Sequence, residues 1–98
     1  MENKYNPKPI DVSKVILSDD LIALSEKLAE NVHEIWAFER IKDGWSYGVR
    51  RDDIKKETPC LVRYSDLSED EKKYDREVVT GILKTILKFG YTISREKI

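Results

Sequence analysis

The chain has 98 residues, 40% of them hydrophobic and 38% charged, and its 18 basic and 19 acidic side chains leave a formal net charge of -1. This length allows one domain with one modest core, and the mixing of both charge signs along the chain disfavours nucleic-acid binding through a broad basic face. No apolar run approaches the roughly 20 residues of a membrane span, and the first residues lack the apolar core of a signal peptide. We therefore expect a single cytoplasmic domain over residues 1–98, without a membrane partner.

Motifs for catalysis and for metal binding are absent from the sequence. One histidine and one cysteine give no C-x-x-C or H-E-x-x-H spacing, and no phosphate loop, G-x-G-x-x-G run or nucleophile elbow occurs. Cys60 has no partner for an internal disulfide, and its apolar neighbours favour a small buried side chain over a reactive thiol. We predict a protein that is not an enzyme and that needs no cofactor or metal.

The first half of the chain predicts an extended arm and then a long helix. Pro7 and Pro9 fix φ and remove amide donors, so residues 1–17 are expected to run extended. Ser18 precedes two aspartates as an N-cap, and Gly44 can close the C-terminus, which predicts a helix over residues 18–43.

Apolar side chains along this first helix recur at steps of three and four residues, which predicts that one face lies against the core. That stripe consists of Leu21, Leu24, Leu28, Val32 and Ile35. The half-buried flank beside it carries Ile22, Ala29 and Trp36, with His33 and Arg40 further toward solvent.

The second half predicts a small β element and another helix. Within residues 44–64, WSYGV and CLVRY are typical of short strands, and the polar loop RRDDIKKETP joins them. Ser68 and Glu71 form a capping box, and Gly90 can end the helix, which predicts residues 68–89 as helical. The apolar face of this helix consists of Val78, Val79, Ile82, Leu83, Ile86 and Leu87. Together these elements predict an α+β fold of two long packed helices with a two-stranded β element.

The stretch from Trp36 to Asp53 is the candidate binding site. Trp36, Trp45 and Tyr47 offer flat faces, and Arg40 and Arg51 offer positive charge, which together suit a nucleobase and its phosphates. The alternative is that both tryptophans pack in a small core.

Asp53, His33 and three residues of the second helix have more than one interpretation each, and the sequence leaves them open. Asp53 either holds a ribose hydroxyl or orients an arginine, and loop aspartates also commonly accept hydrogen bonds from nearby amides. His33 either touches a ligand beside Trp36 or forms a hydrogen bond at the edge of the core. Tyr74, with Lys72 and Lys73, can reach the same surface from the second helix or remain solvated.

The most specific segments of the sequence are NVHEIWAFERI, GWSYG and RDD, preceded by YNPKPIDVSKVIL and followed by LSEDEKKYD and LKFGYTI. Across nearly the whole chain these resemble the RyR domain, the repeat found in pairs in ryanodine receptor calcium channels and singly in bacterial and phage proteins. The resemblance implies a compact α+β domain. The two repeats of each receptor pair are related by an approximate twofold symmetry axis. The resemblance therefore also implies that a single-copy chain is a candidate homodimer.

The resemblance further implies a nucleotide pocket in which an adenine-type ring stacks near the tryptophan of the H-E-x-W segment, here Trp36. Bacterial members resemble sensors of nucleotide-derived ligands. Since the receptor pocket uses both repeats, a complete site in this chain is expected to need a second copy or a fused partner. The sequence therefore predicts a sensor of a nucleotide-like small molecule, and the alternatives are a protein-interaction or homodimerisation module without a ligand and a purely structural packing unit.

Overall fold

The computed structural model describes residues 4–96, in which two long helices flank a small strand pair and a short 3-10 helix. The elements in chain order are α1 (Asp19–Lys42), β1 (Ser46–Tyr47), β2 (Glu57–Thr58), the 3-10 helix (Tyr64–Asp66) and α2 (Glu69–Lys88). This order confirms the predicted α+β fold class. Residues 4–17 form the predicted arm without helix or strand, and residues 1–3 of that prediction lie outside the described part of the chain.

Both helices begin and end where the local signals predict. The Ser18 hydroxyl accepts the Leu21 amide at 3.2 Å, and the Ser68 hydroxyl caps α2 in the same way. Each helix ends at a glycine with φ of +91°, a left-handed conformation that glycine adopts without strain. At Gly44 the chain turns so tightly that the Trp45 amide donates to the Arg40 carbonyl at 2.9 Å. Trp45 is thereby brought back against the last turn of α1.

The β element forms with a different second strand from the one predicted. WSYGV contains β1, but β2 lies in the segment predicted as a loop, and the two strands pair in parallel with Ser46 opposite Glu57. CLVRY is not a strand, because Pro59 has no amide to donate and ends the pairing after Thr58. The pairing is close: a Cβ at Gly48 would lie 2.6 Å from the Glu57 Cβ.

The core lies between α1 and α2 and is thin. Its buried apolar members are Leu17, Ala29, Tyr64, Leu67, Val79 and Leu83. Partly buried side chains that pack against them are Leu21, Leu28, Val32, Cys60, Val62 and Leu87. Among residues 4–96, neither helix has an apolar stretch long enough to cross a lipid bilayer.

The predicted buried face of α1 is wrong at its centre. Ala29 is 0% exposed and His33 is 4% exposed, although Ala29 was expected on the half-buried flank and His33 further toward solvent. Leu24 and Ile35 of the predicted stripe are exposed. We attribute the difference to size: at Ala29 the small side chain lets the neighbouring elements approach the helix closely, and the bulkier leucines pack on either side. On α2, Val79 and Leu83 are buried as predicted, but Val78, Ile82 and Ile86 are exposed.

A polar network ties the three helical elements together at the edge of the core. The Arg76 guanidinium of α2 donates to the Glu26 carboxylate of α1 at 2.7 and 3.0 Å, and to Glu69 at 3.1 Å. The Tyr64 hydroxyl of the 3-10 helix donates to Glu26 at 2.9 Å. Glu26 therefore accepts from both other elements, which fixes the arrangement of the three.

We expect this network to make the stability of the fold depend on pH in the acidic range. Hydrogen bonds from Arg76 hold the pKa of Glu26 and the pKa of Glu69 below their usual values. Such a carboxylate stabilises the fold above its unfolded pKa of about 4.3, and the contribution is lost as pH falls through the lower folded value. Urea unfolding measured at several pH values below 5 should show this loss, and Arg76→Gln should flatten the curve. An unchanged curve in Arg76→Gln would contradict the assignment.

Candidate functional site

Six side chains form a continuous row, which we call the stacked row. It runs in the order Tyr64, His33, Trp36, Arg40, Trp45 and Arg51. The His33 ring lies 5.6 Å from Trp36 with 27° between their planes, and 6.2 Å from Tyr64. The Arg40 guanidinium carbon lies 5.9 Å from the Trp36 ring centre and 5.7 Å from that of Trp45. The Arg51 guanidinium carbon lies 5.6 Å from the Trp45 ring, so each indole contacts a cation.

Helix periodicity and the turn after α1 build this row. His33, Trp36 and Arg40 follow one another at steps of three and four residues, so their side chains lie along one side of α1. The turn at Gly44 places Trp45 beside Arg40. Four of the sequence-predicted site residues are thus brought together by α1 and its C-terminal turn alone.

The loop between the strands supplies the last member of the row and fixes it. The Arg51 Nε donates to the Asp53 carboxylate at 2.8 Å, an arrangement that orients the guanidinium over Trp45. Of the two predicted roles for Asp53, the structure shows contact with an arginine. Asp52 accepts the amides of Ile54 and Lys55 at 3.0 Å, which is the expected loop role.

His33 sits as a hydrogen-bonded histidine at the core and also supports the row. Its Nε2 lies 2.7 Å from the Val62 carbonyl oxygen, in the segment that follows β2. This bond fixes the plane of the imidazole, and the imidazole in turn lies against Trp36. His33 therefore positions the indole from the buried side.

Beside the row is a concavity of about 280 Å³, which we call the acidic concavity. It is lined by His33, Trp36, Cys60, Leu67, Glu71, Tyr74 and Asp75. Its walls are mainly aromatic and aliphatic, and two carboxylates from successive turns of α2 are its charged groups. No lysine or arginine within residues 4–96 lines it. Trp36 belongs to both features: it lines the concavity, and the Arg40 guanidinium carbon of the row lies 5.9 Å from its ring centre.

The carboxylates of the concavity have unusual surroundings. Burial raises the pKa of Asp75, and the neighbouring Glu71 raises it further while His33 opposes the shift. The Cys60 thiol donates to Glu71 at 3.4 Å, and burial together with this contact raises the pKa of Cys60. Cys60 is thus a poorly ionised thiol, in line with the sequence expectation, but one that lines a concavity.

A second, much smaller gap lies within the row itself. It measures about 50 Å³ and is lined by Trp36, Arg40, Trp45, Arg51 and Thr58. Ligand pockets usually measure at least about 300 Å³, so this gap admits little more than water. An organic ligand on the row must therefore approach from the concavity or displace a guanidinium.

Sequence reasoning named Tyr47, which the structure leaves apart from the site. It missed Tyr64 of the row and four side chains that line the concavity, namely Cys60, Leu67, Glu71 and Asp75. Tyr47 is 56% exposed on β1 and lines neither the row nor the acidic concavity. Glu71 and Asp75 were not expected in the site, although their spacing of four residues places them on one side of a helix. Of the three candidates at the start of the second helix, Tyr74 lines the concavity, and Lys72 lies over the Tyr64 ring. Lys73 forms an exposed ion pair with Glu77.

Within residues 4–96, no group of three or more histidine, cysteine, aspartate or glutamate side chains is placed to hold a metal ion.

The family model of the RyR domain matches residues 5–95, a span that contains the whole stacked row and the whole acidic concavity.

Proposed function

Because this chain belongs to the RyR domain family, a family of non-enzymatic domains, we propose that it is a binding or sensing module for a nucleotide-like small molecule. One observation carries the proposal: Trp36 forms a wall of the acidic concavity and also contacts Arg40 in the stacked row. A ligand at this indole has both the mainly apolar walls of the concavity and the Arg40 guanidinium within reach. Nucleotides combine a flat ring and an anionic group in the same way.

The concavity is the place for the ring in this proposal. Trp36 and Tyr74 both line it, so a flat base inserted there contacts aromatic surface from α1 and from α2. At about 280 Å³ the concavity accommodates the base of a ligand and leaves its sugar outside.

The anionic part of the ligand falls to Arg40, which is exposed and makes no ion pair with any residue in the range 4–96. Its guanidinium lies 5.9 Å from the Trp36 ring centre, within the length of one nucleotide from a base at that indole. Arg51 lies one ring further along the row and is held by Asp53. We assign phosphate contact to Arg40 first and to Arg51 for a longer, doubly charged ligand.

We expect nucleotides to raise the melting temperature of the protein, and Trp36→Ala to abolish the rise. A ligand that binds the folded state at about 100 times its Kd stabilises it by about 2.7 kcal/mol, which shifts the melting temperature of a domain of this size by several degrees. The measurement is a thermal melt followed by tryptophan fluorescence with saturating purine, pyrimidine and cyclic nucleotides. Phe38→Ala is the matched control, because Phe38 is an exposed aromatic on α1 outside the row.

Alkylation of Cys60 reports where the nucleotide binds, because this thiol lines the acidic concavity. A base in the concavity should slow the reaction of Cys60 with iodoacetamide in proportion to occupancy. A folded Trp36→Ala variant that binds nucleotide with unchanged affinity would refute the stacking role. The absence of any melting shift with every nucleotide would refute nucleotide binding.

The second candidate function is a protein-interaction or homodimerisation module, which a different surface favours. The arm and the outer face of α2 enclose an open groove whose apolar lining includes Ile10, Val78, Ile82 and Ile86. Such side chains are typical of an interface when they form one surface. A mass that increases with concentration, without a response to nucleotides, would favour this function. A purely structural unit would instead leave both tryptophans inaccessible to a soluble quencher.

A further inference from the structure

Building on the proposed function, we propose that the acidic concavity selects the base by its hydrogen-bonding edge, and that Asp75 and Glu71 make it select guanine over adenine. The proposal concerns only the base end of the ligand. An experiment can therefore refute the base selectivity and still leave the proposal of nucleotide binding standing.

The first step is the position of the two carboxylates. Glu71 and Asp75 lie one turn apart on α2, and both line the same concavity as Trp36 and Tyr74. A ring held against these aromatic side chains has its edge in the region of the carboxylates. Contacts along that edge must therefore suit two negatively charged acceptors.

The second step is the burial of the Asp75 carboxylate and the hydrogen bonds that it can accept. Its carboxylate is half-buried, and the influences on it are burial and the charges of His33 and Glu71, with no hydrogen bond from any residue in the range 4–96. A partly desolvated carboxylate gains strongly from a donor that reaches it. Glu71 is less available, because it accepts the Cys60 thiol. Asp75 is therefore the principal edge contact.

The third step is the chemistry of the purine edges. An ionised carboxylate only accepts hydrogen bonds, and its two oxygens match two parallel N–H donors. Guanine presents its N1–H and its 2-amino group side by side, which satisfies this arrangement. Adenine presents its 6-amino group next to the N1 lone pair, so one carboxylate oxygen would meet another acceptor. The concavity is thus complementary to guanine and repels one position of adenine, so the base it selects differs from the adenine-type ring that the resemblance to the receptor repeats implies.

The experiment compares guanosine, inosine and adenosine monophosphates by fluorescence titration of the full chain. Inosine lacks only the 2-amino group, so the affinities should fall in the order guanosine, inosine, adenosine. A bidentate base contact discriminates by about 1 to 3 kcal/mol, so the guanosine preference over adenosine should be about tenfold or more.

Asp75→Asn supplies the positive test. Its side-chain amide has one acceptor and one donor group, which match the N1–H and the 2-oxo group of xanthine. The variant should bind guanosine monophosphate about tenfold more weakly and xanthosine monophosphate about tenfold more tightly than the unchanged protein. Glu77→Gln is the control, because it neutralises an exposed carboxylate of the same helix outside the concavity and should change neither affinity.

Each result separates the two proposals. Equal affinity for adenosine and guanosine monophosphates, still lost in Trp36→Ala, would overturn the edge selection and leave nucleotide binding intact. Loss of guanosine binding in Asp75→Asn without a gain for xanthosine would also overturn a direct edge contact. Binding of none of these nucleotides would overturn both proposals.

Discussion

Leu83→Ala is expected to destabilise the fold by about 3 kcal/mol and to lower its melting temperature by more than about 10 °C. Leu83 is 7% exposed and belongs to the buried cluster between α1 and α2. Truncation removes apolar contacts and leaves a cavity that two packed helices close only in part. The effect is large because a domain of this size has a total stability of only about 5 to 15 kcal/mol.

The neighbouring residue gives the matched control for this prediction. Ile82 is 55% exposed on the outer face of α2, so Ile82→Ala should cost less than about 1 kcal/mol in a monomer. Both variants are compared by urea unfolding followed by circular dichroism. Equal losses at low protein concentration would contradict the assignment of the core. A loss in Ile82→Ala that grows with protein concentration would instead indicate that a second copy covers this face.

The helices of this fold could be predicted because their signals are local. Ser18 and Ser68 cap the N-termini of α1 and α2, and Gly44 and Gly90 follow their C-termini. Each helix boundary therefore depends on a few neighbouring residues. The strand pair depends on a remote partner. Glu57 pairs with Ser46, and nothing in ETPC marks this segment more strongly as a strand than the apolar CLVRY that follows.

The buried face of α1 could not be derived from hydrophobicity alone. Ranking by hydrophobicity selects the leucine stripe, whereas close packing centres on the smallest side chain, Ala29, and on a histidine that is satisfied by a carbonyl of another segment. The Val62 carbonyl that satisfies His33 comes from 29 residues further along the chain. Such a partner becomes visible only in the folded chain.

The candidate site also consists of residues that are close in the sequence and residues that only the packing of the helices brings together. Trp36, Arg40 and Trp45 come from one helix and its turn, and the sequence predicted their proximity correctly. Glu71 and Asp75 join them only because α2 packs beside α1, so an analysis of one segment at a time could not include them. The consequence is chemical: the sequence predicted a cationic site, and the structure adds an acidic half.

Trp45→Ala is expected to destabilise the fold by about 2 kcal/mol and to weaken nucleotide binding without abolishing it. Trp45 is half-buried and is the ring that both arginines of the row contact, at 5.7 Å for Arg40 and 5.6 Å for Arg51. Its removal takes away apolar contact and two cation–π interactions, each worth about 0.5 to 1 kcal/mol near the surface. Arg40 then keeps only its contact with Trp36, and Arg51 keeps its hydrogen bond to Asp53 but loses the ring beside it, while Trp36 and the concavity remain.

Tyr47→Ala is the control for Trp45→Ala, because Tyr47 is an exposed aromatic two residues away that lies outside the row and the concavity. It should change stability by no more than about 0.5 kcal/mol and leave binding unchanged. Thermal melts and nucleotide titrations of both variants provide the comparison. They are followed by tryptophan fluorescence, which in Trp45→Ala comes from Trp36 alone. If Trp45→Ala lowered stability and nucleotide affinity no more than Tyr47→Ala, the contacts of the row would contribute nothing measurable to folding or binding. The expected result is that only Trp45→Ala weakens the affinity for anionic ligands, while the affinity for the free base is unchanged in both variants. This would show that the arginines beside Trp45 bind the charged group and that the concavity at Trp36 binds the ring.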